Sequence, residues 1–451
     1  MDAAPIQSER EDASMNLKQE QNVLCVGAGK AAIEFPANFF PYNGFSGRYL
    51  VSAGDSLHAR ALLLEYGECS VLFISLELGD ITDEWTPEIS RETGIPAEHI
   101  FLAATHTHSA PYANSTWGEK VVDAEKTEPF CRACLTAVLK AAKAARESAR
   151  PAKLSFAEGV CDINVSRVKP YEGTQADVTA RYVPAPNPHA YSDKTVAVMT
   201  FTDPDGGVIA YLLNYAVHST VLFRQAWGRN KTGSRTSGDL AGASMRYVEE
   251  RTPGAVAVYT MGAAGDQLPR YTMVHRVFDA QGNFRSEDYG DAAGQAFMAA
   301  MAGELGAEAL YASAGAAEEI SARLRTAAVT VSAMGKEAWH GGPPMTIPRD
   351  YQYVPTQMTD IRLGMIALGG TALLTVPAEI VAGIGRDIKD AVKAQGFQNV
   401  IVITQCNGAL QYIAADEDYD HMTMEANASH FMKGVAGILK DGARQLAEKL
   451  K

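Results

Sequence analysis

The sequence predicts an α/β fold: a mixed β-sheet core flanked by helices and built as a single large domain. Three observations carry that expectation. Apolar runs of strand length recur at residues 70–78, 100–104, 195–201, 208–217, 255–260, 363–368, 371–376 and 400–404. Several are apolar on both faces, as interior strands covered by helices are. Helical periodicity marks 130–147, 292–312, 379–395 and 426–450, and in the third of these Ile380, Ile384, Ile388 and Val392 form an i, i+4 stripe that faces a core. The stretch Asp203-Pro204-Asp205-Gly206-Gly207 and the pair Gly369-Gly370 are turn signals between strands, so hairpins occur beside helix-linked strands. No internal repeat and no long linker is visible. Residues 22–451 are therefore expected to form one compact unit behind a polar, disordered leader at 1–21. Residues 172–192 and 339–355 have the character of long irregular loops, which often serve as lids or substrate walls.

Composition narrows the function. A hydrophobic content of 47% in 451 residues suffices for an extensive core. The formal net charge of −13, with no cluster of Lys and Arg, excludes a nucleic-acid partner. No apolar run approaches the roughly 20 residues that span a bilayer, and residues 1–21 lack the apolar centre of a signal peptide. No transmembrane segment and a cytoplasmic location are expected. Six cysteines in so long a chain are not a disulfide framework. Cys131 and Cys134 form a C-x-x-C within an Ala-rich helical segment, with no second pair to complete a tetrahedral metal site, so core packing explains them. Gly27-Ala28-Gly29-Lys30 lacks the first half of a P-loop and has Ala31 in place of the Mg-binding hydroxyl, which excludes that nucleotide motif.

Chemistry gathers at strand ends. Thr105-His106-Thr107-His108-Ser109 stands where the run 100–104 stops and a loop with Pro111 begins. Two imidazoles at i and i+2 point to the same side, so a metal ligand and a proton donor can share one wall. A pair of hydrogen-bonded histidines is the simpler alternative. His218 closes the run 208–217 and repeats the placement of His106. Glu379 follows Pro377 where the strand 371–376 meets the Ile-striped helix, and there the helix dipole and free amides favour an ionised carboxylate. An ordinary first-turn Glu is the alternative. Tyr412 follows the strand 400–404 and the turn Cys406-Asn407-Gly408.

Taken in order, VGAGKAAIEFP from Val26, HARALLLEYG from His58, THTHSAP from Thr105, NYAVHST from Asn214, SGDLAG from Ser237, GAAGD from Gly262, VPAEIVAG from Val376, NGALQYI from Asn407 and EANAS from Glu425 form a specific series. It resembles the neutral (non-lysosomal) ceramidase family and covers nearly all of residues 22–431. The match is to the catalytic N-terminal domain; the β-sandwich domain that follows in typical members has no counterpart in this sequence. The resemblance implies a single catalytic domain with one zinc ion, its ligands carried by His106, His218, Glu379 and Tyr412. Such a metal acidifies its water and polarises the scissile carbonyl. It further implies that His108 protonates the leaving nitrogen or steadies the oxyanion, and that Arg167, in Asn164-Val165-Ser166-Arg167, offers a fixed cation to the developing negative charge. The implied partner is a small-molecule or lipid-like acyl substrate.

Two departures qualify that expectation. Met424 stands where the family has a tyrosine, which removes one oxyanion donor. Leu268, in Gly265-Asp266-Gln267-Leu268-Pro269, replaces the family's Ser and excludes a mechanism with that Ser as nucleophile. The expected activity is zinc-dependent hydrolysis of a carbon–nitrogen amide bond by metal-activated water. An ester or lactone hydrolase on the same scaffold is the first alternative. A metal-binding or ligand-binding protein that has lost catalysis is the second.

Overall fold

Three units, with sheets of five, five and four strands and each covered by helices, make up the frame; a two-residue strand, Arg150–Pro151 or Glu318–Glu319, edges each of the first two. The computed structural model describes residues 23–44, 49–113, 124–223, 233–315, 318–337, 339 and 344–451. The leader expected at 1–21 lies outside the described residues. In the first unit β1 (Cys25–Ala32), β2 (His58–Tyr66) and β3 (Cys69–Leu76) pair antiparallel. Helix α1 (Thr86–Thr93) then leads to β4 (Ile100–Ala104), which lies parallel to β3, and α2 (Ala124–Ser148) packs on β1 and β2. The second unit starts with β5 (Lys153–Val160) and makes an excursion through β6 (Asn164–Pro170) and β7 (Tyr182–Asn187). It continues with β8 (Thr195–Thr202) and β9 (Val208–Tyr215), and β5, β8 and β9 pair antiparallel. Helix α3 (Asp239–Arg251) leads to β10 (Val256–Met261), parallel to β9. Beyond the short β11 (Gln267–Pro269), helix α4 (Gly290–Ala314) packs on β5 and β8.

The third unit repeats the pattern. β12 (Leu324–Lys336), β13 (Pro355–Leu368) and β14 (Thr371–Thr375) pair antiparallel. The two-residue β15 (Glu379–Ile380) and helix α5 (Ala382–Lys393) lead to β16 (Asn399–Ile403), parallel to β14. After β17 (Tyr412–Ile413) and the short α6 (Met424–Ala428), helix α7 (Val435–Leu450) packs on β12 and β13. Three antiparallel strands, a helix, a parallel strand and a long covering helix thus occur three times. The expectation of no internal repeat is corrected at the level of topology. Sheet and helix need only alternation and period, so different side chains satisfy one path.

Burial shows why the units associate. In β2 alternate residues serve two cores: Leu62 and Leu64 face a central cluster and Leu63 an outer one. The central cluster joins the inner faces of all three sheets, with Phe73 and Phe101 from the first, Phe156, Met199 and Leu212 from the second and Ile366, Leu373 and Ile401 from the third. The outer faces lie under helices, as where Leu363, Leu374 and Val402 meet Ile384, Ile388, Leu439 and Leu446. Each fully buried Leu or Phe contributes roughly 1.5–3 kcal/mol relative to exposure, which is why the inner faces cannot be left to solvent. Gly27 and Gly29 have a packing role: a Cβ at either would overlap the backbone of α2 at Ala145 or Ala141.

Several boundaries differ from expectation. The helix expected at 379–395 begins only at Ala382, with Val381 as its N-cap, so Glu379 lies in β15 instead of a first helical turn. The helix expected at 426–450 is two helices, with Gly434 at φ 101° opening the second. Within 172–192, β7 pairs with β6, so the segment is not wholly irregular. The loop expected at 339–355 lies in part outside the described residues. Both hairpins form, β8 to β9 and β13 to β14. Cys134 is buried in the core between α2 and its sheet, and no disulfide joins any of the six cysteines. Among the described residues no helix is long and apolar enough to cross a membrane.

Candidate metal centre

The ends of the parallel strand pairs bring the chemistry together. β4 delivers His106 and His108, β9 delivers His218, and the segments after β14 and β16 deliver Glu379 and Tyr412, which face each other in the parallel β15–β17 pair. The loops are pinned by backbone bonds: Thr107 N–H donates to the Leu78 carbonyl at 3.1 Å and His108 N–H to the Ser219 carbonyl at 3.1 Å. The loop from β16 is stitched onto β4, since the Asn407 side chain accepts from Leu102 N–H and donates to the Ile100 carbonyl, both at 3.1 Å. His106, Gln405, Asn407 and Gln411 take φ of 59°, 52°, 56° and 61°. Left-handed backbone at non-glycine residues persists only where the surroundings enforce it, and it clusters at functional sites.

Hydrogen bonding fixes how the imidazoles present themselves. His106 Nδ1 lies 2.5 Å from the Gly79 carbonyl oxygen, and His218 Nδ1 lies 3.0 Å from that of Gln267. A carbonyl only accepts, so each Nδ1 carries the hydrogen and each neutral ring offers its Nε2 lone pair to the centre. Both Nε2 atoms lie 3.1 Å from Glu379 Oε2. The Tyr412 hydroxyl lies 3.5 Å from His218 Nε2, and His108 Nε2 lies 3.2 Å from His106 Nε2. Two lone pairs and a carboxylate oxygen directed at one another in a buried space repel unless a proton or cation lies among them. The N and O donors fit a divalent ion such as zinc. The donor atoms of His106, His108 and His218 also gather within 4.8 Å of one another.

Electrostatics agree with this arrangement. Burial alone would make Glu379 a weaker acid, but His106 and His218 overcome it and hold the carboxyl well below its usual range. The expected cause of ionisation is corrected: the helix starts three residues later, and the Glu379 N–H is already bonded to the Gln411 carbonyl at 2.9 Å. His106 resists burial because Glu379 stands beside it, and its pKa is raised. Burial, then His106 and His218, push His108 well down, and burial and Arg167 push His218 down to about 4. Burial raises the Tyr412 phenol. Without a cation the cluster thus holds a proton most readily at His106.

Arg167, on β6, is buried beside Tyr412, with its guanidinium carbon 5.3 Å from the ring centre. Its Nε donates to Glu425 Oε1 at 2.8 Å and another nitrogen to the Gly265 carbonyl at 2.6 Å. The six residues picked out in the sequence, His106, His108, Arg167, His218, Glu379 and Tyr412, therefore meet in one place. In the sequence Glu425 stands out only as part of a motif. A pair 258 residues apart has no local sequence signal. The carbonyls of Gly79 and Gln267 carry no residue signature at all. Met424 opens α6 directly before Glu425, and Leu268 on β11 pairs with Val165. Glu425→Ala would strand a buried guanidinium, and a loss on the order of 3–5 kcal/mol is expected in denaturant unfolding. Unchanged stability would show that the carbonyl alone holds Arg167.

A cleft of about 810 Å³ is lined by Asn164, Val165, Lys194, Arg270, Tyr271 and Phe297 among others and by none of the six. Chemistry, not volume, singles out the histidine cluster. Residues 114–123 and 224–232, which follow the His108 and His218 loops in sequence, lie outside the described residues.

With the fold and site described, comparison gives the class first, a mixed α/β fold of sheets covered by helices. No protein-family model matches the chain. Among solved structures, a ceramidase complexed with C2 is similar with a TM-score of 0.73 at 18% identity, over 95% of this chain and 75% of that one. The neutral ceramidase from Pseudomonas aeruginosa is similar with a TM-score of 0.72 at 19% identity, over 96% of this chain and 75% of that one. The chain has the fold of the neutral ceramidase structures.

Proposed function

We propose that the chain is a zinc-dependent hydrolase that cleaves the carbon–nitrogen amide bond of an N-acyl substrate, with ceramidase-like chemistry. The observation that carries this proposal is the convergence of His106 Nε2, His218 Nε2 and Glu379 Oε2, with both outer imidazole nitrogens tied to carbonyls. The ordered motifs and the shared fold support it. His106, His218, Glu379 and Tyr412 would hold the ion, which when bound supplies an acidified water and a polarised carbonyl. His108 would pass a proton from the attacking water to the leaving nitrogen, or steady the oxyanion. Arg167, anchored by Glu425, keeps a fixed positive charge beside the Tyr412 ring for the negative charge that develops. The substrate is a small or lipid-like acyl compound.

A second activity, on esters or lactones, is favoured by Met424. It places a thioether directly before Glu425, where the resemblance calls for a hydroxyl. One missing donor costs roughly 10²–10³ in rate, a loss that an ester with its better leaving group tolerates better than an amide. Ceramide, compact N-acyl amides and matched esters should be compared side by side, then repeated with Met424→Tyr. We expect compact substrates to exceed ceramide in kcat/KM and Met424→Tyr to raise the amide rate. Ceramide as the best substrate, with no gain from Met424→Tyr, would overturn both expectations.

A further inference from the structure

A separate polar cleft lies where β12 ends and β13 begins. Met334 pairs with Met358 and Lys336 with Pro355, so Thr356 and Gln357 together oppose the single residue Gly335. Such a β-bulge takes side chains out of their alternation and re-aims them. Glycine is required opposite it, because a Cβ at Gly335 would meet the Thr356 hydroxyl and come within 2.6 Å of the Gln357 carbonyl oxygen. The space so formed, about 380 Å³, is lined by Lys336, Thr356, Gln357, Thr359 and His430. Lys336 is only 4% exposed, whereas Thr356, Gln357 and His430 are exposed and Thr359 is half-buried.

The charge of Lys336 is poorly compensated. Its Nζ donates to the carbonyls of Asn427 at 3.2 Å and Glu337 at 3.4 Å and lies 4.7 Å from the centre of the Tyr353 ring. Among the described residues no carboxylate forms an ion pair with it, and burial lowers its pKa to about 8. A buried ammonium held by two carbonyls and a ring face still lacks an anionic partner. Hydroxyl, amide and imidazole groups stand around the open side of the same cleft.

We propose that this cleft binds a small oxyanion, either free phosphate or sulfate or the phosphate headgroup of a lipid, with Lys336 at its floor and Thr356, Gln357, Thr359 and His430 at its rim. The site shares no residue with the metal centre. The test is calorimetric titration of the full chain with inorganic phosphate against a chloride control of equal ionic strength, and in parallel with phosphatidylcholine vesicles with and without phosphatidate. Saturable binding in the first arm identifies a free ion, and binding confined to phosphatidate vesicles identifies a headgroup. In either case Lys336→Met should weaken binding roughly tenfold to a hundredfold, as loss of a charged hydrogen bond does. Absence of saturable binding in both arms, or an affinity unchanged in folded Lys336→Met, overturns the proposal. If Lys336→Met does not fold, a Thr359→Val/His430→Ala protein decides: weaker binding supports the site, and unchanged affinity overturns it.

Discussion

Replacing His108 by Ala is expected to leave the fold and the metal in place and to lower kcat on the order of 10²–10⁴. The geometry separates its role from that of its neighbours. Glu379 Oε2 is 3.1 Å from both His106 and His218, whereas the partner of His108 Nε2 is His106 at 3.2 Å. Burial and the other two imidazoles hold its pKa well below the usual histidine range, so the resting ring is neutral. Steady-state kinetics with metal analysis on the same sample checks this. A His108→Ala protein that is metal-free would move His108 into the ligand set, which the closeness of the three donor nitrogens allows geometrically.

Glu379→Gln should have an effect at least as large. The amide keeps the shape but removes the one carboxylate between His106 and His218, and with it the charge that draws a cation into the cluster. Lost electrostatic stabilisation of several kcal/mol corresponds to roughly 10³-fold or more in kcat/KM. Excess zinc should restore only part of it. A Glu379→Gln enzyme with wild-type rate and wild-type metal content would remove Glu379 from the centre.

The histidines were legible because strand ends are easy to see: a short apolar run stops and the imidazoles follow. Glu379 was found for a partly mistaken reason. A two-residue strand shows no period, and the Ile stripe begins with Ile380, so the sequence pattern places the helix start too early; the carboxylate is held by imidazoles. Glu425 was not assigned a partner, because its bond to Arg167 exists only once α6 packs near β6. The three-fold topology was hidden because each unit uses its own residues. Of the hairpin turns, Gly206 and Gly369 stand out as glycines at positive φ beside Asp or Gly, while Tyr66-Gly67-Glu68 lacks that reinforcement. The outer half of β13, with Thr356, Gln357, Thr359 and Asp360, carries no apolar run, so only its buried end at 363–368 could be read as a strand.

Elemental analysis of the purified wild-type chain beside His106→Ala and His218→Ala bears most directly on the metal centre. About one zinc per wild-type chain, lost from both variants while each remains folded by circular dichroism, is the expected result, since each variant removes an imidazole Nε2 that lies 3.1 Å from Glu379 Oε2. Full stoichiometric zinc in both variants would show that these two imidazoles do not hold the ion.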